Sequence, residues 1–224
     1  MATLAQDWED KIELGSGFKS DRCLMHIWNK MKESDAAFKM LYGFLEEFPV
    51  AELEIDFVKK WEILNNGGFG DSWGVTKSFN SQEISIFLNS DALSSSSLMF
   101  VSTILAHEII HAEMWRKVAS LPSPGGYVDL DRFQYDFPGL YEYYRNYNDW
   151  GHEAMARHYR EQIKSFIREI DIAVNGIPSN QNIYEDLSWT ALEETKAWET
   201  TLSANERARI LSVQKNEETK GKCK

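Results

Sequence analysis

Hydrophobic residues in the first fifty positions of the chain recur at the spacing of an α-helix. Two runs follow this spacing, first Leu24, Ile27, Trp28 and Met31, and then Phe38, Leu41, Leu45 and Phe48. Ser20 with Asp21 precedes the first run and Ser34 precedes the second, and these residue types cap helix N-termini. The pattern therefore predicts two amphipathic helices within residues 1–50.

The hydrophobic period changes to two after residue 50, which indicates a β-strand with one buried face. Apolar and polar side chains alternate over residues 51–58. A stretch rich in glycine and asparagine at 65–71 interrupts the pattern, and residues 74–79 and 83–89 then read as two more strands around a turn at 80–82. Residues 51–90 are thus expected to form a small antiparallel sheet of three strands.

Helical patterns dominate the rest of the chain. A segment without glycine or proline follows the serine run at 94–97 and predicts a central helix over 98–120. Residues 121–149, rich in proline, glycine and tyrosine, predict a long loop, and loops of this length are usually functional. Further helices are expected within 150–214, one to about residue 174, one over about 183–200, and a shorter one after a capping box at 203–206. The polar tail, 215–224, is expected to fray.

These elements predict an α+β fold that is mostly helical, with a small antiparallel sheet packed on the central helix. The chain has 224 residues, 43% of them hydrophobic and 26% charged, which suits one domain over residues 1–224 with a single core. Cys23 and Cys223 are the only cysteines, so neither a disulfide framework nor a CxxC zinc site is expected. Stability is expected to come from packing.

Charge and hydropathy exclude several classes of partner. The formal net charge of -11 repels phosphate backbones, so no nucleic-acid partner is expected. No apolar stretch approaches the roughly 20 residues of a membrane span, and the first residues lack the features of a signal peptide. No membrane partner is expected, and the protein is expected in the cytoplasm or exported without a cleaved signal. The pattern predicts no particular oligomeric state.

The sequence His107-Glu108-Ile109-Ile110-His111 is an HExxH motif within the predicted central helix. Four residues of α-helix rise about 6 Å and turn slightly more than once, so both imidazoles can bind one metal ion. Glu108 is offset by about 100°, beside the pair, where it can reach a metal-activated water without being a ligand. The motif predicts a Zn²⁺ site with His107 and His111 as ligands and Glu108 as general base.

A catalytic zinc needs a third protein ligand, and the metzincin continuation is absent because Met114 and Lys117 occupy its glycine and histidine positions. His152 is the preferred candidate, because it heads a stripe of apolar residues at helical spacing, namely Met155, Tyr159, Ile163, Phe166 and Ile170. Glu153 and His158 share the polar side of that helix and are expected at the surface, as is His26. Glu153 remains open as an alternative third ligand, as do the other acids Glu142, Glu185, Glu193 and Glu194.

The segment TILAHEIIHAEMWRK, with the strand EISIFLNSDAL before it and GHEAMARHY and LSWTALEETKAWETTL after it, resembles the SprT-like zincin metallopeptidase domains of bacteria, including those found as effector modules of polymorphic toxins. The resemblance implies a zincin-like fold, zinc bound by His107, His111 and a downstream histidine, here His152, and Glu108 as the base. Many SprT-type proteins also carry a cysteine zinc ribbon, which two cysteines cannot form. A role linked to DNA repair is therefore not expected, in agreement with the acidic charge.

The residues and the resemblance together predict a zinc-dependent metallopeptidase acting on a protein or peptide substrate. Tyrosines of the 121–149 loop, above all Tyr141, Tyr144 and Tyr147, could stabilise the oxyanion or could simply pack the loop onto the core. Glu113 and Asp149 are candidates to orient the ligand imidazoles. Two alternatives remain, a non-catalytic zinc-binding interaction module and a toxin-type effector built on the same site.

Overall fold

The computed structural model describes residues 8–46, 51–65, 72–80, 83–119 and 150–221. Its strands are β1 (Ile12–Leu14), β2 (Glu52–Val58), β3 (Gly74–Asn80) and β4 (Glu83–Asn89). Its first helices are α1 (Ser16–Ser20), α2 (Arg22–Met31), α3 (Asp35–Leu41), α4 (Lys60–Asn65), α5 (Ser90–Leu93) and α6 (Leu98–Ala119). The later ones are α7 (Trp150–Ala154), α8 (Arg160–Asn175), α9 (Gln181–Leu187), α10 (Lys196–Thr201) and α11 (Ala204–Thr219). The described fold is α+β, as predicted.

Helix starts coincide with the capping residues that the sequence indicated. The Asp21 carboxylate accepts hydrogen bonds from the backbone N–H groups of Cys23 and Leu24, and Ser34 Oγ accepts one from Ala37 N. Ser203 and Glu206 form a complete capping box at the start of α11. Each bond satisfies an N–H group that a helix N-terminus would otherwise leave unpaired. The two predicted N-terminal helices are confirmed as α2 and α3.

The sheet has the strand order β1-β2-β4-β3 and is mixed, so the prediction of an antiparallel sheet was wrong for most of it. β1 and β2 are parallel, β2 and β4 are parallel, and β3 with β4 is the one antiparallel pair. Alternation of apolar and polar residues reports which face of a strand is buried, but it does not report strand direction. The strand β1 was also missed, because three residues are too few to show a period.

Helix α6 packs on the sheet and is buried along its middle. Every residue from 101 to 110 is buried, which explains why the segment is apolar on all sides. Ser97 Oγ caps the helix by accepting a hydrogen bond from Phe100 N at 3.1 Å. One side of α6 packs against β3 and β4, and α8 packs against it as well. The predicted central helix is confirmed with its packing on the sheet.

The C-terminal part differs from the prediction in two places. The single helix expected over 183–200 is divided into α9 and α10, because Ser188 Oγ donates to the Glu185 carbonyl and Thr195 Oγ1 accepts from Trp198 N, and such local bonds compete with helix propagation. Ala191, between the two helices, has a left-handed φ of 63°. In addition, α11 continues to Thr219 with Glu217 buried, so the tail is ordered further than expected.

Cys23 is disulfide-bonded, which contradicts the expectation that stability comes from packing alone. The chain has one other cysteine, Cys223, which lies outside the described residues. Described residues near both positions approach each other, since Gly221 N donates to the Ser95 carbonyl at 2.8 Å, and Cys23 and Leu98 line one surface cavity. A sequence separation of two hundred residues concealed this proximity.

Among the described residues, no helix is long and apolar enough to cross a bilayer.

Candidate metal centre

Three histidine side chains converge between α6 and α7. His107 and His111 are one turn apart on α6, and their Nε2 atoms are 3.1 Å apart. The His152 ring comes from α7, and its centroid lies 5.2 Å from that of His107 and 5.1 Å from that of His111. One ligand nitrogen from each ring lies within 4.8 Å of the other two. The structure therefore brings together the three predicted ligand residues.

The helix that carries His152 has the predicted buried face. Met155, Ile163, Phe166 and Ile170 are buried and Tyr159 is partly buried, although a π-helical turn at Met155–Tyr159 separates α7 from α8. The packing of this stripe against α6 directs the preceding turn toward the motif histidines. Helical phase on the sequence was therefore enough to select His152.

The other candidates for a third ligand lie elsewhere or are otherwise engaged. The Glu153 carboxylate pairs with Arg157 at 2.5 Å, and His158 is exposed, as is His26. Glu185 pairs with Arg160 and Lys164, and neither Glu193 nor Glu194 belongs to the histidine cluster of the described residues. Glu142 lies outside the described residues. His152 is thus the one candidate among the described residues that joins the motif pair.

The cluster suits a divalent cation that accepts nitrogen ligands. Two nitrogens bound to a tetrahedral zinc at about 2.1 Å lie about 3.4 Å apart, close to the observed separation in the motif pair. Burial, and then the neighbouring imidazoles, lower the pKa of His107 well below its usual value. Burial and His152 lower the pKa of His111 to about 3. Neutral rings keep the lone pairs that a metal requires, so the residues fit Zn²⁺.

Glu108 lies beside the histidines and is held by the sheet. Thr76, on the edge strand β3, places its Oγ1 2.6 Å from Glu108 Oε2 and 3.0 Å from the Glu108 carbonyl oxygen. Burial raises the pKa of Glu108 to about 7, and the hydrogen bond from Thr76 opposes that rise. Glu108 is not in the ligand cluster, in agreement with a role beside the metal.

Gly74, at the start of β3, makes room for the Glu108 side chain. A Cβ at this position would lie 3.0 Å from Glu108 Cγ and Oε1. Contacts this short force one of the two groups to move. The sequence pattern indicated neither Gly74 nor Thr76, because their contacts with Glu108 depend on the pairing of β3 with β4 and on the packing of α6.

Glu113, which was predicted to orient a ligand imidazole, is paired with another side chain. Both Glu113 oxygens accept hydrogen bonds from Arg116, at 2.6 and 2.8 Å, so the prediction that Glu113 orients a histidine was wrong. His107 Nδ1 is buried without a hydrogen bond of standard geometry, although the Thr190 backbone is close enough to raise the pKa of the ring slightly. Tyr141, Tyr144, Tyr147 and Asp149 lie outside the described residues.

A cavity of about 630 Å³ gives access to the site. The three histidines and Glu108 line it together with Trp73, Trp115 and Glu218. A space of this size admits several residues of an extended peptide.

Comparison with protein-family models, with curated proteins and with solved structures finds no match to this chain. The resemblance to SprT-like domains stays a prediction that rests on the residues.

Proposed function

We propose that this protein is a zinc-dependent metallopeptidase that hydrolyses peptide bonds. The observation that carries the proposal is the convergence of His107, His111 and His152 beside a buried Glu108, all four lining one open cavity. A structural zinc site is closed by four protein ligands, whereas a catalytic one has three and leaves a position for water or substrate. The described residues supply three ligands, which favours catalysis over the alternative of a zinc-binding interaction module.

In this proposal the protein residues have separate tasks. His107, His111 and His152 would hold the zinc ion, which would supply polarisation of the substrate carbonyl and a water molecule of lowered pKa. Thr76 holds Glu108 Oε2, so Glu108 Oε1, above Gly74, is the atom that accepts a proton from the attacking water. Glu108 then delivers this proton to the leaving amine. His107 is buried and the other two rings are partly buried, and the packing of α6 against α8 holds the helices that carry them.

The decisive experiment combines metal analysis with proteolysis. The purified protein should bind about one zinc per chain and cleave an unstructured protein such as casein. Glu108→Gln should retain the zinc and lose cleavage by roughly three orders of magnitude or more. Glu199→Gln, an equivalent charge change at an exposed position outside the cavity, is the control. A protein that binds no zinc, or a Glu108→Gln variant with full activity, would contradict the proposal.

A second candidate is a toxin-type effector that uses the same site. The observation that favours it is the disulfide at Cys23, because disulfides persist mainly in oxidising compartments and in secreted proteins. If this candidate is right, delivery of the protein into susceptible bacteria should arrest growth, and Glu108→Ala should abolish the arrest. Growth arrest that survives this substitution would exclude a role for the site.

A further inference from the structure

We infer that the part of the cavity wall formed by Glu218, Trp73 and Trp115 is a subsite for a basic side chain, and that the peptidase cleaves next to lysine or arginine. The inference deepens the proposed function and rests on it. Glu218, Trp73 and Trp115 carry it, and all three line the same cavity as His107, Glu108 and His111. None of the three belongs to the HExxH motif.

Glu218 supplies an oriented carboxylate. Trp73 Nε1 donates to Glu218 Oε1 at 3.0 Å, which fixes the side chain against the cavity wall. Among the described residues, Oε2 accepts no hydrogen bond and forms no ion pair, and the nearby Lys220 pairs instead with Glu217 at 2.9 Å. Oε2 is therefore available to a ligand. An ammonium or guanidinium group is the partner that a carboxylate prefers.

The backbone around Glu218 is fixed, so the carboxylate is preorganised. The Glu217 carbonyl accepts a hydrogen bond from Ser97 N at 2.7 Å, and Gly221 N donates to the Ser95 carbonyl at 2.8 Å. These two bonds, on either side of Glu218, attach the end of α11 to the start of α6, the helix that carries the motif. A group held on rigid elements loses little entropy when a ligand binds.

Two further features of the cavity favour a cation. Glu218 lies in the last turn of α11, a helix of 16 residues, where the aligned peptide dipoles leave partial negative charge. Trp73 and Trp115 contribute indole rings, whose faces attract ammonium and guanidinium groups. No lysine or arginine is among the described residues that line the cavity. An apolar side chain bound here would remove Glu218 Oε2 from water without giving this charged oxygen a partner, which is unfavourable.

The test is cleavage-site profiling with a peptide library in which lysine and arginine occur at internal positions, such as a proteome digested after glutamate. Five zinc-loaded proteins are compared, namely the wild type, Glu218→Gln, Glu218→Arg, Glu199→Gln and Glu108→Gln. Glutamine keeps an oxygen that accepts from Trp73 Nε1, so Glu218→Gln removes the charge and retains the hydrogen bond. Glu199→Gln makes the same charge change on the exposed surface of α10.

The wild type should show lysine and arginine enriched about five- to tenfold at one position within three residues of the cleaved bond. Glu218→Gln should lose the enrichment but still cleave peptides that lack basic residues, Glu218→Arg should favour acidic residues at that position, and Glu199→Gln should match the wild type. The preference should weaken between about 50 mM and 0.5 M salt, because screening shortens the range of the interaction.

Two results would overturn the inference, and they differ from failure of the proposed function. Cleavage that depends on Glu108 but shows no basic preference, or the same preference in Glu218→Gln, would show that Glu218 recognises nothing. Cleavage confined to N-terminal residues would show that the carboxylate binds an α-amine instead of a side chain. Absence of any cleavage that depends on Glu108 would refute the peptidase proposal and the subsite with it.

Discussion

The Thr76 hydroxyl lies 2.6 Å from the Glu108 carboxylate and 3.0 Å from the carbonyl oxygen of the same residue. Thr76 is on the edge strand of the sheet, and Glu108 is on the central helix, so a single side chain connects the two layers at the proposed site. This contact holds Glu108 Oε2, while Oε1 lies near Gly74. The position of the Glu108 carboxylate therefore depends on the position of β3.

Thr76→Val should lower kcat/KM by about tenfold, because it removes the hydroxyl that holds Glu108 Oε2 and keeps the shape of the side chain. The zinc content should not change, since Thr76 is not in the ligand cluster. Thr76→Ser, which restores a hydroxyl, should recover most of the activity. Peptidase assays with parallel zinc analysis would check this, and equal loss in the valine and serine variants would contradict it.

Gly74→Ala should reduce peptidase activity without loss of zinc. The added Cβ would meet Glu108 Cγ and Oε1 at 3.0 Å, so the Glu108 side chain must move by a few tenths of an ångström. Small displacements of a catalytic group cost about tenfold or more in rate. The measurement is kcat at saturating substrate, with the thermal midpoint as a check on folding. Unchanged kcat would show that the carboxylate has room to adjust.

His152→Ala should weaken zinc binding by more than about 100-fold, since even the loss of an outer partner of a ligand costs 10- to 100-fold. Competition against a chromogenic chelator measures the affinity. His158→Ala serves as the matched control and should bind zinc normally, because His158 is exposed and lies outside the histidine cluster. Normal affinity in His152→Ala would remove this residue from the site.

Asp171 should make stability depend on pH in the acid range. Burial raises the pKa of this carboxyl, but hydrogen bonds from Tyr184, Ser179 and Asn175 outweigh burial and hold the pKa below its usual value. Because the pKa is lower in the folded protein, the stabilisation is complete above about pH 4 and is lost as the pH falls through the folded-state value.

Replacement by asparagine tests the contribution of Asp171. Asp171→Asn should cost about 1–2 kcal/mol of unfolding free energy at neutral pH, and the difference from the wild type should shrink as the pH falls. Urea unfolding at about pH 7, 4 and 2.5 measures it. A difference that stays constant across this range would show that the charge of Asp171 contributes nothing.

The disulfide at Cys23 should stabilise the protein against unfolding by about 2–4 kcal/mol, because it joins distant parts of the chain and restricts the unfolded state. Reduction or Cys23→Ser should therefore lower the thermal midpoint. Peptide mapping without reduction should recover Cys23 linked to Cys223. A free thiol at Cys23 in protein purified under oxidising conditions would contradict the bond.

Patterns within short stretches of the sequence predicted most helices and strands and the proposed ligand residues. The caps at Asp21, Ser34 and Ser203 set helix starts, and the period of the hydrophobic residues located α6 and three of the four strands. The HExxH spacing placed His107, Glu108 and His111 on one helix, and the apolar stripe after His152 selected that residue. These features depend on neighbours within a few residues, which a sequence displays directly.

Only the tertiary structure decided the parallel pairing of β2 with β4, the contacts of Thr76 and Gly74 with Glu108, and the position of Glu218 in the cavity wall. Each of these joins residues that are far apart in the chain, and no local period encodes such distances. The proposed ligands and base of the metal centre thus lie in two short helical segments, which local patterns in the sequence indicated. Its support and its proposed specificity arise from packing between layers.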